Sequence, residues 1–484
     1  MGVNMSGSKA MKQTMFDEFQ IKGYWWLPET ENKVAGILFY KHDNIKLELI
    51  GTLSQKKFGE IIDETKEVDI ILGYSDKGEE FTLMNCFNSG FSFSIPGLMT
   101  ETYTIQSFLV GGHFNSLDEI SFHSMAIYPT YFSKWTSKSP FKQEYSLNDG
   151  KVKSINFTEP KMFSEYIEPI NAKIEETYIT NFSGDFNEKI NWVYKGGFKI
   201  IPDEWQSFEW FRKTMFKVRN LYTLFIGYPT YFENLIFYGD EELIGSETYR
   251  KKYSYFLQQK DVKIKNKFNW HDAMINYGDI HHNLKGIFSA WFEKQEILKT
   301  VTDLYFSDFY RDMYIETKFL NSVQTLEIYH RRLFDGKIFD DAEYQEYSSK
   351  VIEYIQGKLP SEFCKKIEGM LRHGNEYSLN KRLRELINLL NPETKSYLFG
   401  NSDNRAKFIQ QLVDTRNYLT HYDVSDKKNI LKGSEIFYAI QRLKALATIL
   451  LFKEIGIDEK LILTKIQDSK QYSYSITEAK KLLN

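Results

Sequence analysis

The chain has 484 residues, more than one hydrophobic core usually organises, so two or more domains are expected. Its 42% hydrophobic and 16% aromatic content can fill large cores, and a formal net charge of -3 excludes nucleic-acid binding through a global positive field, leaving only local basic patches. Cys86 and Cys364 are too few for a disulfide framework or a CxxC zinc pair, and no apolar run reaches the ~18 residues of a membrane span, so a soluble cytoplasmic protein is expected.

Residues 1–17 read as a flexible N-terminus. From about residue 18 to 200, short apolar or aromatic runs alternate with turn residues: FQIKGYWWLP, VAGILFY, IKLELIGTL, VDIILGY, EEFTLMNCF, GFSFSIPG, TYTIQSFLVGG, EISFHSMAIY, KVKSINFT and KINWVYKGGFKI. So many short strands at near-regular spacing predict an antiparallel sandwich or barrel. Over 203–225 the period changes, with Trp205, Phe208, Phe211, Met215, Val218, Leu221 and Phe225 at three- and four-residue steps. That spacing predicts an amphipathic helix laid on the β-domain. Two further strands follow, YFENLIFYG and ETYRKKYSYFLQ.

From about residue 275 onward the pattern is helical, with segments expected near 281–308, 313–334, 341–358, 361–373, 378–390, 402–421, 434–455 and 475–483. Asp403 opens one of these helices, and Ser475 with Glu478 has capping-box spacing. The expected fold is α+β: an antiparallel β-rich domain over 18–270, a helical connector over 271–312 and an all-α bundle over 313–484.

Arginine is absent before Arg212 and crowds the helical part, which also carries TRNYLTHY at 415–422. Guanidinium suits bidentate phosphate contacts, and an imidazole titrating near neutral pH can move a proton. Arg416, Asn417 and His421 therefore form a candidate phosphate-handling site. Its bare spacing arises easily by chance, so surface decoration stays open as a reading. On an ideal helix Arg416 and His421 diverge by about 140° around the axis and about 7.5 Å along it. Asp423, Ser425 and Asp426 suggest that the helix stops just beyond.

The segment HDAMINYGDIHH gathers His271, Asp272, Asp279, His281 and His282 but has no HExxH or i, i+4 histidine pair, so no metal site is expected. Trp25–Trp26 and the GGH at 111–113 read as core and turn. Walker, dinucleotide and nucleophile-elbow motifs are missing as well, which removes the commonest NTPase, dehydrogenase and hydrolase readings.

The chain resembles the ApeA-type proteins of bacterial anti-phage defence, which join a β-rich ApeA N-terminal domain to an ApeA-like HEPN domain. The N-terminal resemblance lies in KGYWWLP, VAGILFY and IKLELIGTL, and the C-terminal one in FLNSVQTLEIYHRRLF, LNKRLRELINLL and VDTRNYLTHY. It implies a metal-independent endoribonuclease without cofactor, with Arg416 and His421 as catalytic pair and Asn417 as the polar residue beside them. It also implies abortive infection by RNA cleavage, with tRNA one candidate substrate, in at least a homodimer. Glu327 and His330 are candidate supporting partners, with a solvated helix face as the rival reading, and Arg382 and Arg384 are candidate RNA-backbone contacts. A phage-encoded trigger is the expected partner of the β-domain. Two rival readings stay open: a non-catalytic nucleic-acid or nucleotide-binding dimerisation module, and a phage-product receptor centred on the β-domain.

Overall fold

Six strands of alternating pattern open the chain: β1 (Phe19–Trp26), β2 (Val34–Lys41), β3 (Asn44–Ile50), β4 (Glu67–Ser75), β5 (Glu80–Ser92) and β6 (Thr100–Val110). In β2 the residues Val34, Gly36, Leu38 and Tyr40 face inward, as the period of two requires. The computed structural model describes residues 13–53, 67–92, 96–146, 149–185, 187–421 and 429–483. The six strands are antiparallel neighbours in the order β6–β3–β2–β1–β4–β5, and β5 pairs back onto β6, closing a barrel. Closure removes the unpaired edges that an open sheet would expose.

Inside it, Trp25 lies 5.8 Å from Phe81, which is 6.1 Å from Phe108, itself 5.9 Å from Tyr40. Trp25 sits directly opposite Gly73 in the β1–β4 pairing. A Cβ at position 73 would stand 2.2 Å from Trp25 Cε3, so only glycine admits the indole there. Both expected tryptophans are core residues: Trp25 lies within the barrel, and Trp26 packs with Ile70, Leu72 and Leu117 in a second cluster.

An open antiparallel sheet continues from β6. It runs through β16 (Glu247–Leu257), β15 (Phe232–Ile244), β8 (Ser124–Pro129), β13 (Ile190–Pro202), β12 (Ala172–Gly184) and β11 (Ser164–Ile167). Short pairs join β7 (Ser121–Phe122) to β14 (Gln206–Ser207) and β9 (Phe141–Tyr145) to β10 (Val152–Phe157). Helix α2 (Phe208–Ile226) covers one face of the open sheet, after the short α1 (Phe132–Thr136). The Ser207 hydroxyl caps its start by accepting from Trp210 N–H at 3.3 Å, and Gly227 closes it at φ 71°. Trp205 falls in the turn before the helix and is 44% exposed, so the amphipathic stripe begins at Phe208. Phe198, Trp135, Tyr222 and Phe225 form the aromatic core beneath it. Helices α3 (Tyr277–Ile280) and α4 (Leu284–Glu293) finish this part, and Trp291 Nε1–H donates to the Lys217 carbonyl at 3.0 Å.

The chain divides into two compact units, 1–292 and 293–484. Residues 271–312, expected as a connector, are shared between them: α3 and α4 fall in the first, α5 (Gln295–Tyr310) in the second. Of the expected flexible start, residues 1–12 lie outside the described residues, whereas Met15 is buried and bonded to the Glu233 carbonyl.

The second unit is helical: α6 (Ile315–Leu333), α7 (Asp341–Ile355), α8 (Ser361–Leu371), α9 (Leu379–Asn388), α10 (Pro392–Phe399), α11 (Ser402–His421), α12 (Ser434–Glu454), α13 (Glu459–Asp468) and α14 (Lys470–Leu483). α6 is central and packs on α5, α9, α11 and α12. Its Phe319, Val323, Leu326, Tyr329 and His330 follow the helical period inward. Helix α14 begins five residues before Ser475, which is buried within it, so the expected capping box is not used.

Candidate functional site

Helix α11 carries the motif because its inward face is set by Phe408, Ile409, Leu412 and Thr415. Thr415 Oγ1 accepts from the Leu431 N–H at 2.9 Å, tying the returning chain to this helix. Arg416 and Asn417 come immediately after that buried threonine, so the helical rotation carries them out of the core. Arg416 keeps 36% of its side chain exposed, and Asn417 is exposed.

The Arg416 guanidinium is held on two sides. One terminal nitrogen, Nη1, donates to Asn417 Oδ1 at 3.1 Å, and the other, Nη2, lies 3.9 Å from Glu327 Oε2 on α6. His421 is the last described helical residue; it is exposed, and its imidazole makes no hydrogen bond to another described residue. Helix geometry carries the backbone through both positions, so the side chains leave the axis about 140° apart. The predicted stop signals Asp423, Ser425 and Asp426 lie outside the described residues.

Glu327 links the motif to the interior. Its Oε1 accepts from Arg331 Nε at 3.2 Å and Nη2 at 3.1 Å, one helical turn away. Arg331 Nη1 bonds Glu376 and holds that carboxyl below its ordinary range. Glu376 in turn lies 3.7 Å from Arg382 Nη2. Opposite charges thus alternate from Arg416 inward.

Arg382 was expected as an RNA-backbone contact, but its side chain is 2% exposed. Nε donates to the Tyr377 carbonyl and Nη1 to His330 Nδ1, each at 3.0 Å. A guanidinium only donates, so Nδ1 must accept and the ring carries its proton on Nε2, which meets Glu385 Oε2 at 2.7 Å. Burial pushes the His330 pKa down, consistent with a neutral ring. His330 therefore belongs neither to a solvated face nor to the motif's immediate contacts; it joins α6 to α9 from within. Arg384, two residues on, is exposed and donates to Asn380 Oδ1 at 3.3 Å. The structure thus brings Arg416, Asn417 and Glu327 together, leaves His421 and Arg384 open to solvent, and buries His330 and Arg382.

Sequence reasoning missed Arg331, Glu376 and Glu385. The four-residue step from Glu327 to Arg331 was a readable signal for the first; the other two are distant in sequence and left none. In the segment HDAMINYGDIHH, the Asp272 and Asp279 carboxylates accept from the Asn269 and Asn276 backbone N–H groups as capping boxes.

Two family models match the chain: ApeA N-terminal domain 1 over residues 20–291 and Apea-like HEPN over 320–461. No curated protein and no solved structure matches it. The first match runs from β1 to the last turn of α4, and the second contains all seven candidate residues just described. HEPN domains are generally ribonucleases and often bind RNA and dimerise. Among the described residues no helix is long and apolar enough to cross a membrane. With a barrel-bearing unit matched nearly end to end and a helical unit of the HEPN type behind it, this chain belongs to the ApeA family of defence-related proteins.

Proposed function

We propose that the helical unit is an endoribonuclease that cuts RNA by 2′-hydroxyl attack and acts in anti-phage defence. The observation that carries this reading is the end of α11, where an anchored guanidinium, an amide and an exposed imidazole lie within six residues. His421 takes the 2′-hydroxyl proton, or returns one to the leaving oxygen, and an imidazole suits both steps near neutral pH. Arg416 neutralises charge building on the phosphate oxygens, and Asn417 keeps its fork in place. Glu327, mostly buried, restrains the guanidinium from behind.

Because Arg416 and His421 diverge on one helix, the working site is composite: two copies about a two-fold axis set two arginines and two histidines around one phosphate. The test is incubation of the purified protein with total bacterial RNA in EDTA. Discrete fragments with 2′,3′-cyclic phosphate and 5′-hydroxyl ends are expected, and both His421→Ala and Arg416→Ala should lower the rate by about a hundredfold or more. Full loss of cutting on chelation would refute the mechanism.

A further inference from the structure

Helices α7 and α8 form a hairpin on which no residue is buried. They run antiparallel: Tyr344 O–H donates to the Leu371 carbonyl at 2.8 Å near one end, and the Cys364 thiol lies 3.5 Å from the Ile355 carbonyl near the other. Tyr344, Ser348, Ile352 and Ile355 on α7 and Cys364, Ile367 and Leu371 on α8 are the half-buried positions, so these two stripes face each other. The base of the hairpin is fixed, because the Asn375 side chain accepts from the Phe339 N–H at 2.9 Å and donates to the Phe339 carbonyl at 3.0 Å.

A second apolar stripe lies beside the first on each helix: Tyr347, Val351 and Tyr354 on α7, and Phe363 and Met370 on α8, all exposed. Each of these residues immediately precedes a half-buried one, so each stripe is turned about 100° from the facing line in the same sense. Because the helices run antiparallel, equal turns bring both stripes to the same side of the hairpin. The result is a two-helix apolar face open to water, with Tyr347 at the level of Met370 and Tyr354 at the level of Phe363; such a patch marks an interaction surface. The two helices are charged unequally. Over 340–355 there are five carboxylates against one lysine, and over 356–372 four cations against two carboxylates. Along the edge of the apolar face, α7 carries Glu343, Glu346 and Glu353 with Lys350, and α8 carries Lys366 with Glu362.

We propose that this face docks on the same face of a second copy of the chain, so that two hairpins make a four-helix bundle. Two symmetric arrangements are open to it. A two-fold axis across the hairpin sets α7 on α7, acid against acid, whereas an axis along the hairpin sets α7 on the partner's α8 and pairs the acidic helix with the cationic one. Charge selects the second. Tyr347 then meets the partner's Met370 and Tyr354 the partner's Phe363, one sulfur–aromatic and one aromatic contact. The carboxylate excess on α7 disfavours nucleic acid or anionic lipid as the occupant. The choice of a second copy rests in part on the composite site at the end of α11, which requires one.

The test is the mass of the full-length protein in solution, by mass photometry at nanomolar and sedimentation at micromolar concentration. A concentration-dependent dimer is expected, and Tyr354→Glu combined with Met370→Glu should weaken it by about tenfold or more, since each change buries a carboxylate among apolar groups. The two side chains are 69% and 63% exposed, so this variant should melt like the parent. For the geometry, Tyr347→Cys and Met370→Cys proteins, reassembled together and oxidised, should give a cross-linked dimer, while Tyr347→Cys alone should not, its two sulfurs lying too far apart to bridge. A parent that stays monomeric at micromolar concentration, a dimer unmoved by the paired glutamates, or cross-linking of Tyr347→Cys alone in preference to the mixture would overturn the proposal. A dimer unmoved by the glutamates leaves the composite site on α11 standing. A variant made monomeric by them that still cuts RNA at the parent rate overturns the composite site and leaves this interface standing.

Discussion

Replacing Arg382 by methionine separates an interior role from an RNA-binding one. The side chain is almost wholly buried and donates to the Tyr377 carbonyl and His330 Nδ1, each at 3.0 Å. Methionine keeps much of the volume but orphans both acceptors, at about 1–3 kcal/mol each. It also leaves Glu376 with one fewer cationic neighbour. Breaking a buried, paired network in this way typically costs about 3–5 kcal/mol. For a helical unit of this size that corresponds to a fall in melting temperature of roughly 6–20 °C. The neighbouring backbone leaves little room to relax, because Gly336 passes so close that a Cβ there would lie 2.5 Å from Arg382 Nη1. Differential scanning calorimetry of the full chain would resolve the transition of the helical unit. Arg384→Met, on the exposed side of the same helix, should melt like the parent. A variant at position 382 that melts normally and has only lost RNA affinity would refute the assignment.

Other expectations follow from single contacts. Glu327→Gln keeps the shape but removes the charge that lies 3.9 Å from Arg416 and accepts from Arg331 Nε and Nη2; with both arginines a third or more exposed, each lost attraction is about 1 kcal/mol or less, so RNA cleavage should slow about fivefold and melting should fall by a few degrees. An unchanged rate would show that Glu327 does not position the guanidinium. His330 is held neutral in the fold, its pKa lowered, whereas in the unfolded chain it takes up a proton near pH 6.5. The unfolded state then binds more protons, so the contribution of His330 to stability falls as pH drops below about 6.5; denaturant melts of the parent and His330→Gln across pH 5 to 8 should differ in slope there, and parallel curves would contradict the neutral assignment. Gly73→Ala places a methyl 2.2 Å from Trp25 Cε3, so the barrel should lose about 1–3 kcal/mol or more, read as an earlier transition of the β-rich unit and a shift in buried-tryptophan fluorescence.

The division into a β-rich and a helical part was legible because the hydrophobic period changes from two to 3.6, and strands such as VAGILFY sit where the alternation put them. Strand β12 escaped because its outward residues Lys173, Glu175 and Thr177 and inward Glu176 dilute the apolar signal; Glu176 is 3% exposed and paired with Lys138 in the fold. Helix α10 was signalled by Asn391 followed by Pro392 at its first turn, and α13 by Asp458, whose carboxylate accepts from Lys460 and Leu461 N–H, but both are short. The motif residues were readable as a string. Their surroundings were not: the partnership of His330 with Arg382 and Glu385 joins residues more than fifty positions apart, and nothing in composition separates a buried arginine from an exposed one two residues later.

The central claim is that Arg416 and His421 act together across two copies of the chain, and mixing two inactive variants tests it most directly. Arg416→Ala and His421→Ala proteins, dissociated and reassembled together, should recover RNA cleavage to roughly a quarter of the parent rate. About half of the pairs formed are then mixed, and each mixed pair keeps one of the two arginines and one of the two histidines around the shared phosphate, half of the parent complement. If native mass spectrometry shows mixed dimers but cleavage stays at the level of either variant alone, the composite site is contradicted.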